Sequence, residues 1–429
     1  MRTHLMFGAL AVAALGCGGD GAADDAGSAP RDSGLAPIDA AIPPGVDGGP
    51  AIDAALGDAA VDDAGMGVDA SHPPASGVWV LGYFPGYQRD LLPAEEIDFT
   101  SMTHLVVGAA IPRADGTLET SFDLDPTNGP AFARDLATRA HAAGREAILM
   151  LGGAGAHDGF AAAAAPGTRD VFVASILATM DELGFDGVDV DWEPIPPEDE
   201  ADFEALVHAL RLARPGMRIT IPVGWANANF PDVGAVYGRV AADADRLNVM
   251  SYDMAGPWDG WQSWYTSALD GESPTTPSSI DTSVTAYLAA GVPAAKLGIG
   301  VGFYGDCWTG VSGPRMSTAG ASLVASDNTM SFEHIVGAYY ASLTDPGAAY
   351  HYDAETEQPY LSFAAPHGPE GCTFVSYEDP ASIAAKGAYV RSHGLGGAII
   401  WAIPEGHVRA APAGMRDPLL AAMRTAFLE

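Results

Sequence analysis

Asp186-Gly187-Val188-Asp189-Val190-Asp191-Trp192-Glu193 decides how the rest of this 429-residue chain is read. The octet carries four carboxylates within an apolar run, 183–192, that otherwise reads as a buried strand. Side chains of a strand alternate faces. Asp189, Asp191 and Glu193 therefore share one face, and Asp186 points the other way. Three like charges on one face of a core strand are costly. They must be paired or held protonated by raised pKa values. That is the physical requirement for a general acid working near neutral pH. A calcium loop would need its glycine at the sixth position, and Gly187 is misplaced for that. A solvated acidic turn would not be packed with Val188, Val190 and Trp192.

Outward from the octet, short β-branched runs alternate with Ala-rich helical stretches from Gly77 onward. This is the pattern of βα units around a parallel sheet. The strand candidates are 78–84, 103–110, 146–152, 186–193, 218–223, 247–252, 296–302 and 397–403. Amphipathic stretches lie between most of them, most clearly at 203–212. Eight such units predict an α/β fold, a (β/α)₈ TIM barrel over residues 77–429, with chemistry at the C-terminal strand ends. Glu193 ends the fourth candidate. Residues 304–377 are too long a connection for a structureless loop. With a helix-like 332–343 and several tyrosines, they are expected to form a small α+β insertion subdomain.

The N-terminus reads as an export signal. Arg2 supplies the charge, Leu5 to Leu15 the apolar stretch, and Ala14-Leu15-Gly16-Cys17 a small-residue cleavage site. The tetrad resembles a bacterial lipobox, so residues 1–17 are expected to be a lipoprotein-type signal with Cys17 lipidated. The alternative is an ordinary signal peptide. Residues 18–76 hold eleven Asp against one Arg and no aromatic residue. Such a segment buries too little apolar surface to fold, and is expected to be a disordered acidic linker. The expected location is thus the outer membrane or cell surface, or otherwise the medium. Cys307 and Cys372 then remain as an even pair in an exported chain, which allows a disulfide; two unpaired thiols are the alternative. The formal net charge of −35 argues against nucleic acid or an anionic membrane surface as partner. It is compatible with a neutral polysaccharide. No His/Cys ligand cluster is evident, so no metal and no cofactor are expected, and the chain is expected to be a monomer.

The octet also resembles the Asp-Gly-x-Asp-x-Asp-x-Glu signature of the glycoside hydrolase family 18 chitinases, matching every specified position. Met250-Ser251-Tyr252-Asp253 resembles the family's Met-x-Tyr-Asp motif. Trp401 resembles its strand-eight tryptophan, a flat face on which a sugar can stack. Tyr83, in Gly82-Tyr83-Phe84, resembles another cleft aromatic. The flanks of 304–377 look like the borders of the insertion many members carry. Two positions depart from the pattern. Met150 stands where the family usually has a serine on strand three, and no aromatic stands near Ala109 at the end of strand two. Loss of that serine could alter how Asp189 shares a proton.

The resemblance implies hydrolysis of β-1,4-linked N-acetylglucosamine polymers with retention, assisted by the substrate's own acetamido group. It assigns catalytic roles to Glu193, Asp191, Asp189 and Tyr252, and substrate contacts to Asp253, Met250, Trp401 and Tyr83. Rival readings are an endo-β-N-acetylglucosaminidase or a peptidoglycan-lytic relative. A non-catalytic chitin-binding lectin is disfavoured by the presence of Glu193. Trp225, Trp258, Trp261, Trp264 and Trp308 on later loops are unranked candidates for further sugar contacts.

Overall fold

A computed structural model describes residues 77–429. The expected signal with Cys17 and the linker 18–76 lie outside the described residues. In chain order the barrel begins with β1 (Trp79–Pro85), β2 (His104–Pro112), the short β3 (Leu118–Glu119), α1 (Asn128–Ala142), β4 (Glu146–Ala154), α2 (His157–Ala164) and α3 (Arg169–Leu183). It continues through β5 (Gly187–Glu193), α4 (Glu200–Ala213), β6 (Arg218–Val223), α5 (Val236–Val240), β7 (Arg246–Val249), α6 (Ile280–Ala289) and β8 (Leu297–Gly302). An excursion follows: β9 (Gly305–Thr309), β10 (Ser322–Ala325), α7 (Phe332–Tyr339), β11 (Ala348–Asp353), β12 (Gln358–His367) and β13 (Cys372–Tyr377). The chain then returns through α8 (Pro380–Ser392), β14 (Gly397–Trp401) and α9 (Pro418–Met423).

Parallel pairing runs β1-β14-β8-β7-β6-β5-β4-β2, and β1 also pairs with β2, which closes the barrel. The closed parallel barrel with outer helices is the expected (β/α)₈ architecture. Helix α4 shows why the segments fold as they do. Phe203, Leu206, Val207 and Leu210 recur at helical spacing and are buried, with Glu200 and Asp202 in the first turn and Arg211 in the last. Strand β5 shows the period of two. Trp192 points out to stack on Phe160 of α2, ring centroids 5.1 Å apart, and meets Phe203 of α4 edge-on. Its alternate residues enter the interior, where Leu81, Tyr83, Val106, Ile148, Met150 and Ile399 pack together.

The strand candidates match the observed strands to within a few residues, except at the sixth. It ends at Val249, short of the expected Tyr252. The Met250 N–H still donates to the Val223 carbonyl at 2.8 Å. Ser251 then spends its hydroxyl on the Gly300 carbonyl, and Asp253 turns the chain with φ 54°.

The excursion is a five-stranded antiparallel sheet, order β10-β9-β13-β12-β11, with α7 against it. Cys307 of β9 and Cys372 of β13 form a disulfide that closes a sequence separation of 65. In the chain-entropy view a link of that length stabilises by about 4 kcal/mol. The double variant Cys307→Ala/Cys372→Ala should lose about that much in urea unfolding, with the barrel strands retained. The subdomain's exit is fixed by Lys386 of α8, which is fully buried, pairs with Glu378 and donates to Ser267 Oγ at 2.7 Å. Among the described residues no single helix is long and apolar enough to cross a membrane.

Candidate active site

The acidic face of β5 opens on the barrel interior at its C-terminal end. Asp189 is fully buried and Asp191 nearly so, while Glu193 is partly open. Asp186 faces outward, bonded to His141 Nε2 at 2.8 Å and accepting the Ala147 N–H at 2.8 Å.

Asp189 accepts two hydroxyls, one per oxygen: Tyr83 Oη at 2.7 Å and Thr220 Oγ1. Burial pushes its carboxyl from 3.8 up to about 6, and the two donors hold it from going further. A carboxyl raised by folding contributes its stability fully below pH 3.8, and loses it as pH rises through about 6. Asp189→Asn should therefore flatten the pH dependence of stability across that interval, gaining most relative to wild type at alkaline pH. Chemical denaturation at pH 4 and 8 checks this.

Asp191 and Glu193 hydrogen-bond each other. Burial raises Asp191 first, and the negative charges of Glu193 and Asp189 raise it further. Burial also raises Glu193, moderated by the bond from Asp191. Two adjacent carboxyls so placed hold one proton between them, because both cannot ionise together. Asp191 Oδ1 has no partner among the described residues and remains available as an acceptor.

Tyr252 lies over this pair, 8% exposed. Burial, then the charges of Asp191 and Glu193, keep its phenol protonated and hence a donor. Its ring rests on Gly300 of β8. A β-carbon there would lie 2.7 Å from Tyr252 Cε1 and 2.9 Å from the Ser251 nitrogen. Gly300→Ala should displace Tyr252 and lower kcat by roughly tenfold or more while the fold persists, on the general sensitivity of catalysis to sub-ångström placement. Steady-state kinetics beside circular dichroism tests it.

Asp253 stands open to the cleft. Burial of its surroundings pushes it up to about 7, and Tyr304 donates to it. Behind it Asp306 is 1% exposed and also raised by burial. Trp401 is half-buried, its indole Nε1 donating to Asp327 Oδ1 at 3.1 Å. Met250 is half-buried against the interior cluster. The Gly108–Ala109, Glu193–Pro194 and Trp401–Ala402 peptides are cis. Of the loop tryptophans, Trp225, Trp258 and Trp261 converge, with centroids 4.7 to 6.2 Å apart and each ring partly open. Trp264 and Trp308 are fully buried and belong to the packing of the insertion.

This site sits in a chain whose residues 80–406 match the model for glycosyl hydrolases family 18. The chain belongs to that family. It is 29% identical over 268 residues to Chitinase A1 of Niallia circulans, a match covering 56% of this chain and 37% of that one. It is 29% identical over 256 residues to a probable endochitinase of Caenorhabditis elegans, covering 56% and 40%. The matched region thus spans less than half of each of these two relatives. The solved Ostrinia furnacalis Group IV chitinase shares the fold, with TM-score 0.69 and 23% identity over 82% of this chain and 100% of that one.

Against the family-18 pattern, two expectations take a different form. Tyr83 is 2% exposed, with its hydroxyl on Asp189. It supports a carboxylate and has little ring face to offer a sugar. With Met150 at the strand-three position where the family usually has serine, the second hydroxyl on Asp189 is that of Thr220 of β6. Met150 lies in register with Asp189 and fills the interior. Sequence reading did not single out Thr220, Tyr304, Asp306, Asp327 or Glu405. Thr220 did leave a signal, a polar residue inside the aliphatic 218–223 run. Asp327 left none, since it reaches Trp401 from 74 residues away.

Proposed function

We propose that this protein is a retaining, substrate-assisted glycosidase that hydrolyses β-1,4-linked N-acetylglucosamine polymers, chitin first among them. The observation that carries the reading is the hydrogen-bonded Asp191–Glu193 pair, both carboxyls raised by burial, at the C-terminal end of a barrel strand. Glu193, the more open of the two, delivers its proton to the glycosidic oxygen. The substrate's N-acetyl carbonyl oxygen attacks the anomeric carbon as the leaving sugar departs, forming an oxazolinium ring. Asp191 accepts the acetamido N–H and stabilises the developing positive charge. The Tyr252 hydroxyl donates to the acetamido oxygen. Glu193, now a carboxylate, takes a proton from water as that water adds to the anomeric carbon. The ring opens and configuration is retained. Asp189, tied to Tyr83 and Thr220, keeps a third charge low in the interior and biases Asp191. Trp401 is the floor under the reacting sugar.

The test is product analysis on acetylated chitin oligomers beside N-glycan and peptidoglycan substrates. Cleavage of the oligomers with the β-anomer formed first supports the reading; cleavage of the N-glycan or peptidoglycan alone transfers the chain to the rival substrates. We further propose export with a lipid anchor at Cys17. Recovery of Cys17→Ser from the soluble fraction or as uncleaved precursor, with wild type in membranes, supports it. Unlipidated, soluble wild type removes it.

A further inference from the structure

Strand β7 stops at Val249, so the sheet ladder does not reach Ser251-Tyr252-Asp253. A second buried segment takes over there. Residues 263–267 run along the junction of barrel and insertion, and each is 2% exposed or less. Ser263 Oγ donates to the Gly313 carbonyl at 2.7 Å, Tyr265 Oη to Asp353 Oδ2 at 2.9 Å, and the Thr266 N–H to Ser376 Oγ at 2.9 Å. These bonds tie the segment to the insertion. The same segment also holds the chain around Tyr252. The Asp253 N–H donates to Thr266 Oγ1 at 3.2 Å, and the Met254 N–H to the Thr266 carbonyl at 3.0 Å. Ser267 Oγ donates to the Ser251 carbonyl at 2.5 Å.

The Ser267 bond has a charge behind it. Lys386 Nζ donates to Ser267 Oγ at 2.7 Å and pairs with Glu378. Glu378 in turn accepts from Ser382 Oγ at 2.6 Å. The lysine and glutamate side chains are 0% and 1% exposed. An ammonium bound to a hydroxyl oxygen polarises the O–H and strengthens its onward bond in a dry interior. On its other side Ser251 uses its own hydroxyl, which donates to the Gly300 carbonyl at 3.0 Å and accepts the Gly300 N–H at 2.8 Å. Ser251 is thus clamped between β8 and the 263–267 segment, and Tyr252 is the next residue. A buried ion pair adds little net stability over apolar side chains of the same volume. What apolar residues could not do here is supply the donor that fixes Ser267.

We propose that Ser267 is a positioning residue for Tyr252, held in place by the Lys386–Glu378 pair. The Ser251 carbonyl is fixed, the Tyr252 main chain follows, and the phenol comes to rest where it meets the attacking acetamido oxygen. Through this relay the junction of insertion and barrel sets the geometry of a group inside the barrel. This rests on the role given to Tyr252 above and adds to it the residues that place the phenol. Loss of placement acts on the transition state more than on substrate binding, so kcat falls while KM holds.

The experiment is steady-state hydrolysis of a fully acetylated hexamer by Ser267→Ala, alone and combined with Tyr252→Phe. Ser267→Ala removes one hydroxyl and leaves the ion pair in place. It should lower kcat roughly tenfold with KM close to wild type. In the Tyr252→Phe background, where the phenol hydroxyl is already gone, the same substitution should cost less than about twofold. A purely structural role, or a smaller folded fraction, costs the same factor in both backgrounds, and that result overturns the proposal. So does wild-type kcat in Ser267→Ala. Lys386→Met/Glu378→Gln, which removes both charges together, is the second variant and is judged by the same comparison with and without Tyr252→Phe. Wild-type turnover by Tyr252→Phe alone sinks the role of Tyr252, and the relay with it. Failure of the wild type to cleave the hexamer sinks the parent reading.

Discussion

Glu193→Gln should lower turnover of N-acetylglucosamine oligomers by roughly 10²–10⁴-fold, the usual contribution of a positioned proton donor, while oligomers still bind. The substitution keeps the shape of the side chain, and its amide can still accept from Asp191. It removes the transferable proton alone. Binding should therefore persist in calorimetry, and thermal unfolding should stay close to wild type. The pH profile adds a second reading. Burial raises Glu193 above its ordinary carboxyl value. The protonated, active form thus persists below that raised value and is lost as pH rises through it. Wild-type kcat/KM should fall on the alkaline side, and the residual rate of the variant should not follow the same limb. A variant that hydrolyses at the wild-type rate would end the assignment of Glu193.

Fully deacetylated oligomers should not be cut, and a thiazoline analogue of the oxazolinium ring should inhibit. The reason lies in the interior of the barrel. Asp189 is consumed by Tyr83 and Thr220, and Asp191 and Glu193 share a proton. Under the proposed mechanism the nucleophile is the substrate's own acetamido oxygen. Removing the acetyl group from the cleaved unit removes that nucleophile, and rates should drop below detection in an oligomer assay. Equal turnover of acetylated and deacetylated oligomers would point to a protein nucleophile instead.

How much of this was readable in the chain depends on the range of each interaction. The octet sets β5, its facing and its end, because period-two alternation is local and Trp192 needs an apolar neighbour outside the barrel. The other barrel strands follow from the same local logic. Tyr252 and Asp253 were recognisable from their tetrad, although the strand stops at Val249. What chain order hides is partnership. Tyr83 is an aromatic on a strand in the sequence, and only closure of β1 into the barrel brings its hydroxyl to Asp189. Thr220 bonds Asp189 from β6 while Met150 fills the strand-three position, a partnership that only closure of the barrel reveals. Asp327 and Glu405 lie in an insertion and a terminal turn, where no periodicity marks them.

The fastening of the insertion has a kinetic consequence. Its first strand leaves the barrel two residues after Gly302, its last strand is joined to the first by Cys307–Cys372, and its exit is held by Lys386 and Glu378. The insertion is thus cross-linked within itself and pinned where it rejoins the barrel, so it should move with the barrel as one body. The site should therefore keep its shape when a substrate arrives. Association involves little ordering of the protein, and its rate should track chain diffusion and viscosity more than any closing step. Release is governed the same way. Product release should then need no reopening of the insertion.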